Sequence, residues 1–377
     1  MDHPLKEKTP GKPRILVAPL DWGLGHATRI IPIIRELLVQ GCEVWLAGEG
    51  AQEHLLKTEF PQLPFLNLPG YRIHYAKTKK GLLWKMIQQG PKMRRAILYE
   101  HQWLKRVVKE NCFDAIISDN RYGLYHSEIT SIFITHQLNI KSFAGKWSER
   151  ILQNRNYKYI NRFTECWVPD EESKNNLAGE LSHPAIKPVV PVQYIGLLSR
   201  FDSSSPPGGG DGGLKGQLLI ILSGPEPQRS ILEDKIINEI SHYNGTATIV
   251  RGLPGSSSLI PSSNMIHFYN HLPADQLKKE MLKAEYVISR CGYSTIMDLQ
   301  KLQKKSILIP TPGQTEQEYL SKYLLQKQIA FCISQKEFSL NDSLVKANHF
   351  AYHFPAINSW QILKQVISNF IAFLAKK

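Results

Sequence analysis

The stretch Gly23-Leu24-Gly25-His26 stands between an apolar run, RILVAPL, and a helical pattern, IIPIIRELLVQG. Glycines in such a turn let the backbone approach a ligand closely, and the helix start behind them favours an anion. His26 adds an imidazole, the side chain best poised to take a proton near neutral pH. The turn is not a dinucleotide fingerprint. Thr28 occupies the third glycine position of G-x-G-x-x-G, and neither Glu43 nor Glu49 sits convincingly at a strand end for a ribose. A histidine capping the helix is the plain alternative for His26. Asp119 directly follows FDAIIS. A carboxylate at a strand end can hydrogen-bond an imidazole and orient it, or simply close a turn. Arg29 shares the glycine loop, and His136 with Gln137 ends the next strand.

The second half places a different set of groups after its strands. LSGPEPQRS offers the Ser223 hydroxyl, the bare backbone of Gly224 and the charge of Arg229 for a phosphate. In SRCGYSTIMD, Arg290 precedes Gly292, Ser294 and Thr295, which open a helix and form an anion pocket. Asp298 follows one turn on, where a carboxylate could take both hydroxyls of a ribose. PTPGQTEQEY brings Gln317 and Glu318, an amide and a carboxylate suited to sugar hydroxyls. Each of these could be ordinary helix capping. Together, at three strand ends, they suggest a nucleotide-sugar pocket.

The elements that must position these groups alternate. Before residue 201, apolar strand-like runs (RILVAPL, CEVWLAG, FDAIISD, SIFITHQ, ECWVPD, PVQYIGLL) are interleaved with helical patterns such as Ile30–Gln40. Beyond residue 216, QLLIILSG, TATIVRG, NMIHFYN, AEYVISR, SILIPTP and AFCISQ repeat the scheme, with helices over Gln228–Tyr243, Ser294–Lys301 and Gln317–Lys327. Continuous apolar runs with helices between them predict parallel sheets covered on both faces, hence two doubly wound α/β domains. The domains expected are 14–200 and 217–355, joined by a Gly/Pro/Ser-rich linker or loop over 201–216. A terminal helix over 356–377 hides an apolar stripe from Ile362 to Leu374.

Composition bounds the rest. The chain has 377 residues, no apolar run near bilayer length and no signal-peptide pattern, so a cytoplasmic protein is expected. Cys42, Cys112, Cys166, Cys291 and Cys332 lack zinc spacing and are expected to be reduced. No metal site and no bound cofactor are expected. The net charge of +13 favours anionic partners. Ten Lys/Arg and one acid fall between Arg72 and Arg106, interleaved with Trp84, Trp103 and aliphatic residues. That composition suits an anionic membrane surface, or the solvated face of a domain helix. No specific nucleic acid is expected, because the basic segment carries no recognised DNA- or RNA-binding motif.

GLGHATR, followed by SRCGYSTIMDLQKLQKKSILIPTPGQTEQEYLSKYL, resembles the GT-B glycosyltransferases, in particular the group around the bacterial peptidoglycan N-acetylglucosaminyltransferase, glycosyltransferase family 28. The resemblance is ordered along nearly the whole chain and most specific over Ser289–Tyr323. It implies two Rossmann-like domains facing across a cleft, the C-terminal helix crossing back to the first, and a UDP-sugar held mainly by the second. It places Gly292 and Thr295 in the diphosphate turn, Asp298 at the ribose and Gln317 at the donor sugar. Glu318 replaces the second of the family's two glutamines. It also puts Ser223 in the first loop of the C-terminal domain and His26 at the histidine of the N-terminal loop, which has fewer glycines here than the family form. The activity implied is inverting, metal-independent transfer of a hexose or N-acetylhexosamine to a hydroxyl acceptor, a cell-envelope glycan or a lipid-linked one, by an enzyme at the inner face of the membrane. His26 would be the base, Asp119 its orienter, and Gly23, Gly25, Arg29 and His136 the acceptor side. Arg229 or Arg290 would stabilise the leaving UDP. The alternatives are a UDP-sugar 2-epimerase of the same fold, which donor incubated alone would reveal, and a non-catalytic nucleotide-binding protein of the membrane surface.

Overall fold

A computed structural model describes residues 8–71, 79–201, 213–254, 256–356 and 359–376, with backbone alone over 79–89. The described residues fall into two compact units. The first comprises the residues before 75, Trp84–Leu198 and Ile357–Lys377; the second comprises Tyr75–Leu83 and Ser199–Ala356.

In the first unit the chain runs β1 (Arg14–Pro19), α1 (Leu24–Val39), β2 (Glu43–Gly48), α2 (Gly50–Glu59), β3 (Phe65–Asn67), α3 (Lys79–Asn111), β4 (Ala115–Asp119), β5 (Thr130–Ile134), α4 (Lys146–Ile160), β6 (Glu165–Val168) and β7 (Val192–Tyr194). The strands pair in parallel in the order β3-β2-β1-β4-β5-β6-β7. Every residue of β1, β4 and β5 is buried, as required of strands covered on both faces. Leu16, Ala18, Trp45 and Ile116 of the sheet pack with Trp103, Leu104 and Val107 of α3.

In the second unit β8 (Leu214–Ile221), α5 (Gln228–Ile240), β9 (Thr246–Val250), β10 (Ile266–Tyr269), α6 (Ala274–Lys283), β11 (Ala284–Arg290), α7 (Tyr293–Lys301), β12 (Ser306–Ile309), α8 (Thr315–Gln326), β13 (Phe331–Cys332) and α9 (Leu340–Asn348) follow in order. The parallel order is β10-β9-β8-β11-β12-β13. Leu218, Ile220, Ile249, Ile288 and Ile307 meet Leu232 and Ile236 of α5, Phe338 just before α9 and Leu340 at its start. The last helix, α10 (Ser359–Leu374), belongs to the first unit. It buries Leu363, Val366, Ile367 and Phe370; Phe370 meets Trp167 edge-on at 5.3 Å, and Gln40 Nε2 of the α1 C-cap donates to the Lys364 carbonyl at 3.2 Å.

The structure departs from the sequence reading at two boundaries and in four elements. The first helix begins at Leu24, not Ile30, so the GLGH turn is half helix. Gly23, at φ +84°, turns the chain, and Gly25 is tolerated in the first helical turn. β8 begins at Leu214, inside the stretch read as linker; the rest of that low-complexity stretch lies outside the described residues. β3, α4, α6 and α9 were not read from the sequence, being short or strongly polar.

Candidate active site

All strands of a parallel sheet end on one edge, so the loops after β1, β4 and β5 are neighbours. Pro19 pairs with Asp119, and Asp119 with Ile134, which sets the ends of the three strands side by side. The loop after β1 is pinned from two sides. Leu20 N–H donates to the Asp119 carbonyl at 2.9 Å. Gln52 of α2 reaches back with Nε2 to the Leu20 carbonyl and, at 3.2 Å, to that of Gly23. Gly23 is the N-cap of α1 and supplies no side-chain cap, and no acid occupies the first turn, so the positive end of this helix is unneutralised locally.

On α1, His26 and Arg29 are three residues apart and therefore share a face. His26 Nδ1 lies 3.0 Å from Asp119 Oδ2 and 2.9 Å from Arg29 Nη2. Arg29 Nε donates to Asp119 Oδ2 at 2.8 Å, its Nη2 to Asp119 Oδ1, and its Nη1 faces His136 Nδ1 at 3.2 Å. Asp119 is fully buried and Arg29 nearly so, while the His26 side chain keeps 15% of its surface in contact with solvent. Burial and the Arg29 charge hold the imidazole below its ordinary value, against the opposing pull of Asp119. Burial alone would raise the Asp119 carboxyl, but Arg29 and His26 outweigh it and hold it at about 2. The imidazole is thereby biased toward its neutral form. Nδ1 faces both the Asp119 carboxylate and an Arg29 N–H; in the tautomer whose Nδ1–H donates to Asp119, Nε2 is the atom left to accept a proton.

The sequence pointed to His26 and Asp119 but gave Arg29 only a place in the loop. It is the hub of the cluster, and its signal was the i,i+3 spacing from His26 once the helix is known to begin at Leu24.

In the second unit the predicted residues separate into two groups. Ser223 and Gly224 follow β8, and Gly224 has φ +102°, a conformation that favours glycine. Gly292 is the N-cap of α7 without a side-chain cap, followed by Ser294 and Thr295, with no acid in that first turn. Arg290, the last residue of β11, is 1% exposed. Its Nη2 donates to the Gln228 carbonyl in the first turn of α5 at 2.5 Å. Nε and Nη1 have no hydrogen-bond partner among the described residues, and burial lowers the guanidinium to about 10. A buried cation with two unpartnered donors, beside a helix N-terminus, is a costly arrangement until an anion joins it.

The other group is occupied by the fold. Arg229 donates to Glu226 at 2.6 Å, Glu233 at 3.0 Å and Ser230 Oγ at 2.7 Å, and Arg251 joins Glu233 at 2.6 Å. Arg229 is thereby a member of an ion-pair network, and the phosphate role expected of it would compete with Glu226 and Glu233. Asp298 is 2% exposed and accepts from Ser199 Oγ at 2.8 Å, Arg200 N at 3.1 Å and Arg200 Nε at 2.8 Å. A ribose could reach this carboxylate only by displacing Arg200, so in this structure Asp298 ties the first residues of the second unit to α7. Ser199 and Arg200 carried no sequence signal for that contact. Gln317 Oε1 accepts from Thr311 N at 2.8 Å, and Glu318 Oε1 from Gly313 N at 3.1 Å, which fixes the turn after β12. Gln317 keeps its amide nitrogen without a hydrogen bond among the described residues.

The basic segment 72–106 is described only in part. Trp84 lies outside the described side chains. Trp103, read as a membrane-facing aromatic, is 5% exposed and part of the core, because it lies on the α3 face that packs against β1, β2 and β4.

Residues 262–355 match the glycosyltransferase family 28 C-terminal domain. No curated protein matches the chain by sequence. Among solved structures, Arabidopsis thaliana UGT89C1 complexed with quercetin superposes with a TM-score of 0.61 at 12% identity, covering 96% of this chain and 99% of that one. Phytolacca americana UGT2 complexed with UDP-2fluoro-glucose and pterostilbene gives 0.56 at 13% identity, covering 96% and 94%. Acinetobacter baumannii MurG gives 0.51 at 13% identity, covering 97% and 100%. The two parallel sheets and these neighbours define a GT-B fold. With the matched domain, the class is that of the glycosyltransferases, and the second unit carries a family 28 C-terminal domain.

Proposed function

We propose that the chain transfers a hexose or N-acetylhexosamine from a UDP-sugar to a hydroxyl of a lipid-linked or cell-envelope acceptor, with inversion and without a metal. The observation that carries the reading is the contact between His26 and the buried Asp119 carboxylate at the sheet edge, 3.0 Å from Nδ1 to Oδ2. The acceptor hydroxyl loses its proton to His26 Nε2 as its oxygen attacks the anomeric carbon. The bond from that carbon to the UDP oxygen breaks on the opposite face, and UDP leaves with the electron pair. The charge gathering on UDP is met by the α7 N-terminus at Ser294–Thr295 and by the unpartnered donors of Arg290. Ser223 and the bare Gly224 backbone adjoin the diphosphate, and the amide nitrogen of Gln317 faces the sugar hydroxyls in this reading. Gly23, Gly25 and His136 belong to the acceptor side. The absence of any Asp-x-Asp motif in the sequence agrees with cations and helix dipoles carrying the leaving charge.

A thermal-shift screen across nucleotide sugars, followed by donor hydrolysis on the ligand that binds, tests the assignment. His26→Ala is expected to bind UDP as the native protein does and to lose hydrolysis and transfer by a factor on the order of 100 to 10,000. Turnover at the native rate would remove His26 from the role of base.

A further inference from the structure

The sole acid between Arg72 and Arg106 is Glu100, and it does not face solvent: on α3 it is 1% exposed. Its partner, Arg121, is fully buried and stands two residues beyond Asp119. Arg121 Nε donates to Glu100 Oε1 at 2.7 Å. Glu100 Oε2 accepts from the Tyr71 hydroxyl at 2.8 Å and from Gly123 N at 3.0 Å. The Tyr71 oxygen in turn accepts from Tyr122 N at 3.0 Å. Burial raises the Glu100 carboxyl against the opposing pull of Arg121. Two charges taken out of water gain little over an apolar pair of the same size, so stability alone is a weak reason to bury them.

The pair grips both segments that carry the His26 cluster. Arg121 Nη1 donates to the Pro19 carbonyl at 3.3 Å, where β1 ends, and Nη2 donates to the Pro69 carbonyl after β3. The Ser118 hydroxyl of β4 donates to the Arg121 carbonyl at 2.7 Å. Asn120, between Asp119 and Arg121, takes φ +58° and donates its N–H to the Ile134 carbonyl at 3.1 Å. The chain thus turns directly after Asp119 through a conformation uncommon for a residue with a side chain, and Glu100, Tyr71 and Ser118 hold it there. A planar guanidinium that bonds three separate segments fixes their mutual placement, which an apolar side chain cannot do.

We propose that Glu100, Arg121 and Tyr71 are positioning residues: together they hold the end of β1 and the turn after β4 so that the Asp119 carboxylate stays on His26 Nδ1. All three are 1% exposed or less, so they act through these loops and not on a substrate. The consequence for catalysis rests on the proposed transferase reading, while the placing of Asp119 and His26 does not.

Glu100→Leu with Arg121→Met replaces both charges by apolar chains, an exchange that buried ion pairs commonly tolerate, and the variant is expected to melt within a few degrees of the native chain. The first readout is the NMR titration of the His26 imidazole, its resonance identified by its loss in His26→Ala. Arg29, Asp119 and His136 are the charged and titratable groups around it. The native titration is expected below the ordinary 6.5, and that of the double variant to move up toward 6.5 as the cluster loosens and water enters. The second readout is hydrolysis of UDP-glucose and UDP-N-acetylglucosamine. There kcat is expected to fall roughly 10-fold to 100-fold, the scale of loss when a reacting group is displaced by about 1 Å, with KM and UDP affinity unchanged. Arg14→Met with Glu43→Leu removes an ion pair of 2.8 Å at the starts of β1 and β2, the opposite edge of the same sheet, and is expected to leave both readouts at their native values. A folded double variant with an unmoved His26 titration or a native kcat would overturn the proposal, and so would equal changes in the Arg14–Glu43 variant. If the double variant does not fold, Tyr71→Phe takes its place: it keeps the ion pair, deletes the bridge to Tyr122 N and is expected to shift both readouts in the same directions by less. Native values for both in Tyr71→Phe would then overturn the proposal. A native protein that neither binds UDP nor hydrolyses either donor removes the transferase reading, and the His26 titration decides the positioning by itself.

Discussion

His26 sits under two opposing charges, and the balance fixes the pH at which it can work. In the proposed role of base His26 must be unprotonated to act, so the acidic limb of activity is expected to follow the His26 titration. Burial and Arg29 hold that titration below the ordinary imidazole value of 6.5. The limb is therefore expected below pH 6.5, and removing the Arg29 charge with Arg29→Met is expected to move it upward. A pH–rate profile of donor hydrolysis on both proteins checks this, and an unmoved or lowered limb would exclude Arg29 as the tuning charge. The sign for stability is the same in kind. Asp119 is held at about 2 against an ordinary 3.8, so its contribution is complete above pH 3.8 and is lost as pH falls toward 2. His26, depressed as well, favours the folded state above its ordinary value and withdraws that support as pH drops below it.

At the scale of elements, the junction of β11, α5 and α7 is where strands and helix starts converge on one buried guanidinium. Two unpartnered donors on Arg290 weigh against the ligand-free fold, and a dipole of the same sign at the α5 N-terminus adds to it. Arg290→Met replaces that charge by an apolar chain of similar length. The ligand-free protein is expected to keep or raise its melting temperature, while UDP affinity falls by roughly 10-fold to 100-fold, since hydrogen bonds to charged groups are worth about 1.5–3 kcal/mol. Calorimetry in the presence and absence of UDP measures both. A melting temperature lowered by several degrees with UDP affinity retained would make Arg290 a packing residue. The same junction shows why the sequence could name candidates without sorting them. SRCGYSTIMD and LSGPEPQRS identify two strand ends with cations and hydroxyls, but whether a cation is engaged depends on neighbours far along the chain. Glu233 claims Arg229 and is in turn claimed by Arg251, while nothing comparable reaches Arg290.

At the scale of the whole molecule, the chain end returns to complete the first unit. Phe370 lies against Trp167, two hundred residues earlier in the chain, and Leu363, Val366 and Ile367 are buried beside it. Phe370→Ala is expected to destabilise by about 3–5 kcal/mol, the usual cost of emptying a buried aromatic site. Chemical denaturation gives the value, and a loss below about 1 kcal/mol would mean that α10 contributes little to that core.

Residue order alone determined the alternation of buried strands and helices, hence the parallel sheets, and the strand ends at which chemistry could gather. Apolar periodicity and turn residues are local, so they survive in the sequence. It also singled out His26 and Asp119, ninety-three positions apart, because one follows and the other ends a strand on the same edge of a parallel sheet. Only the tertiary structure decided which charged groups are paired and which are not. Arg29 becomes the hub of the His26 cluster, Asp298 is taken by Ser199 and Arg200, and Trp103 goes into the core. Pairing and burial are long-range properties: they depend on which faces meet once sheets and helices pack, and no spacing within a single segment encodes them.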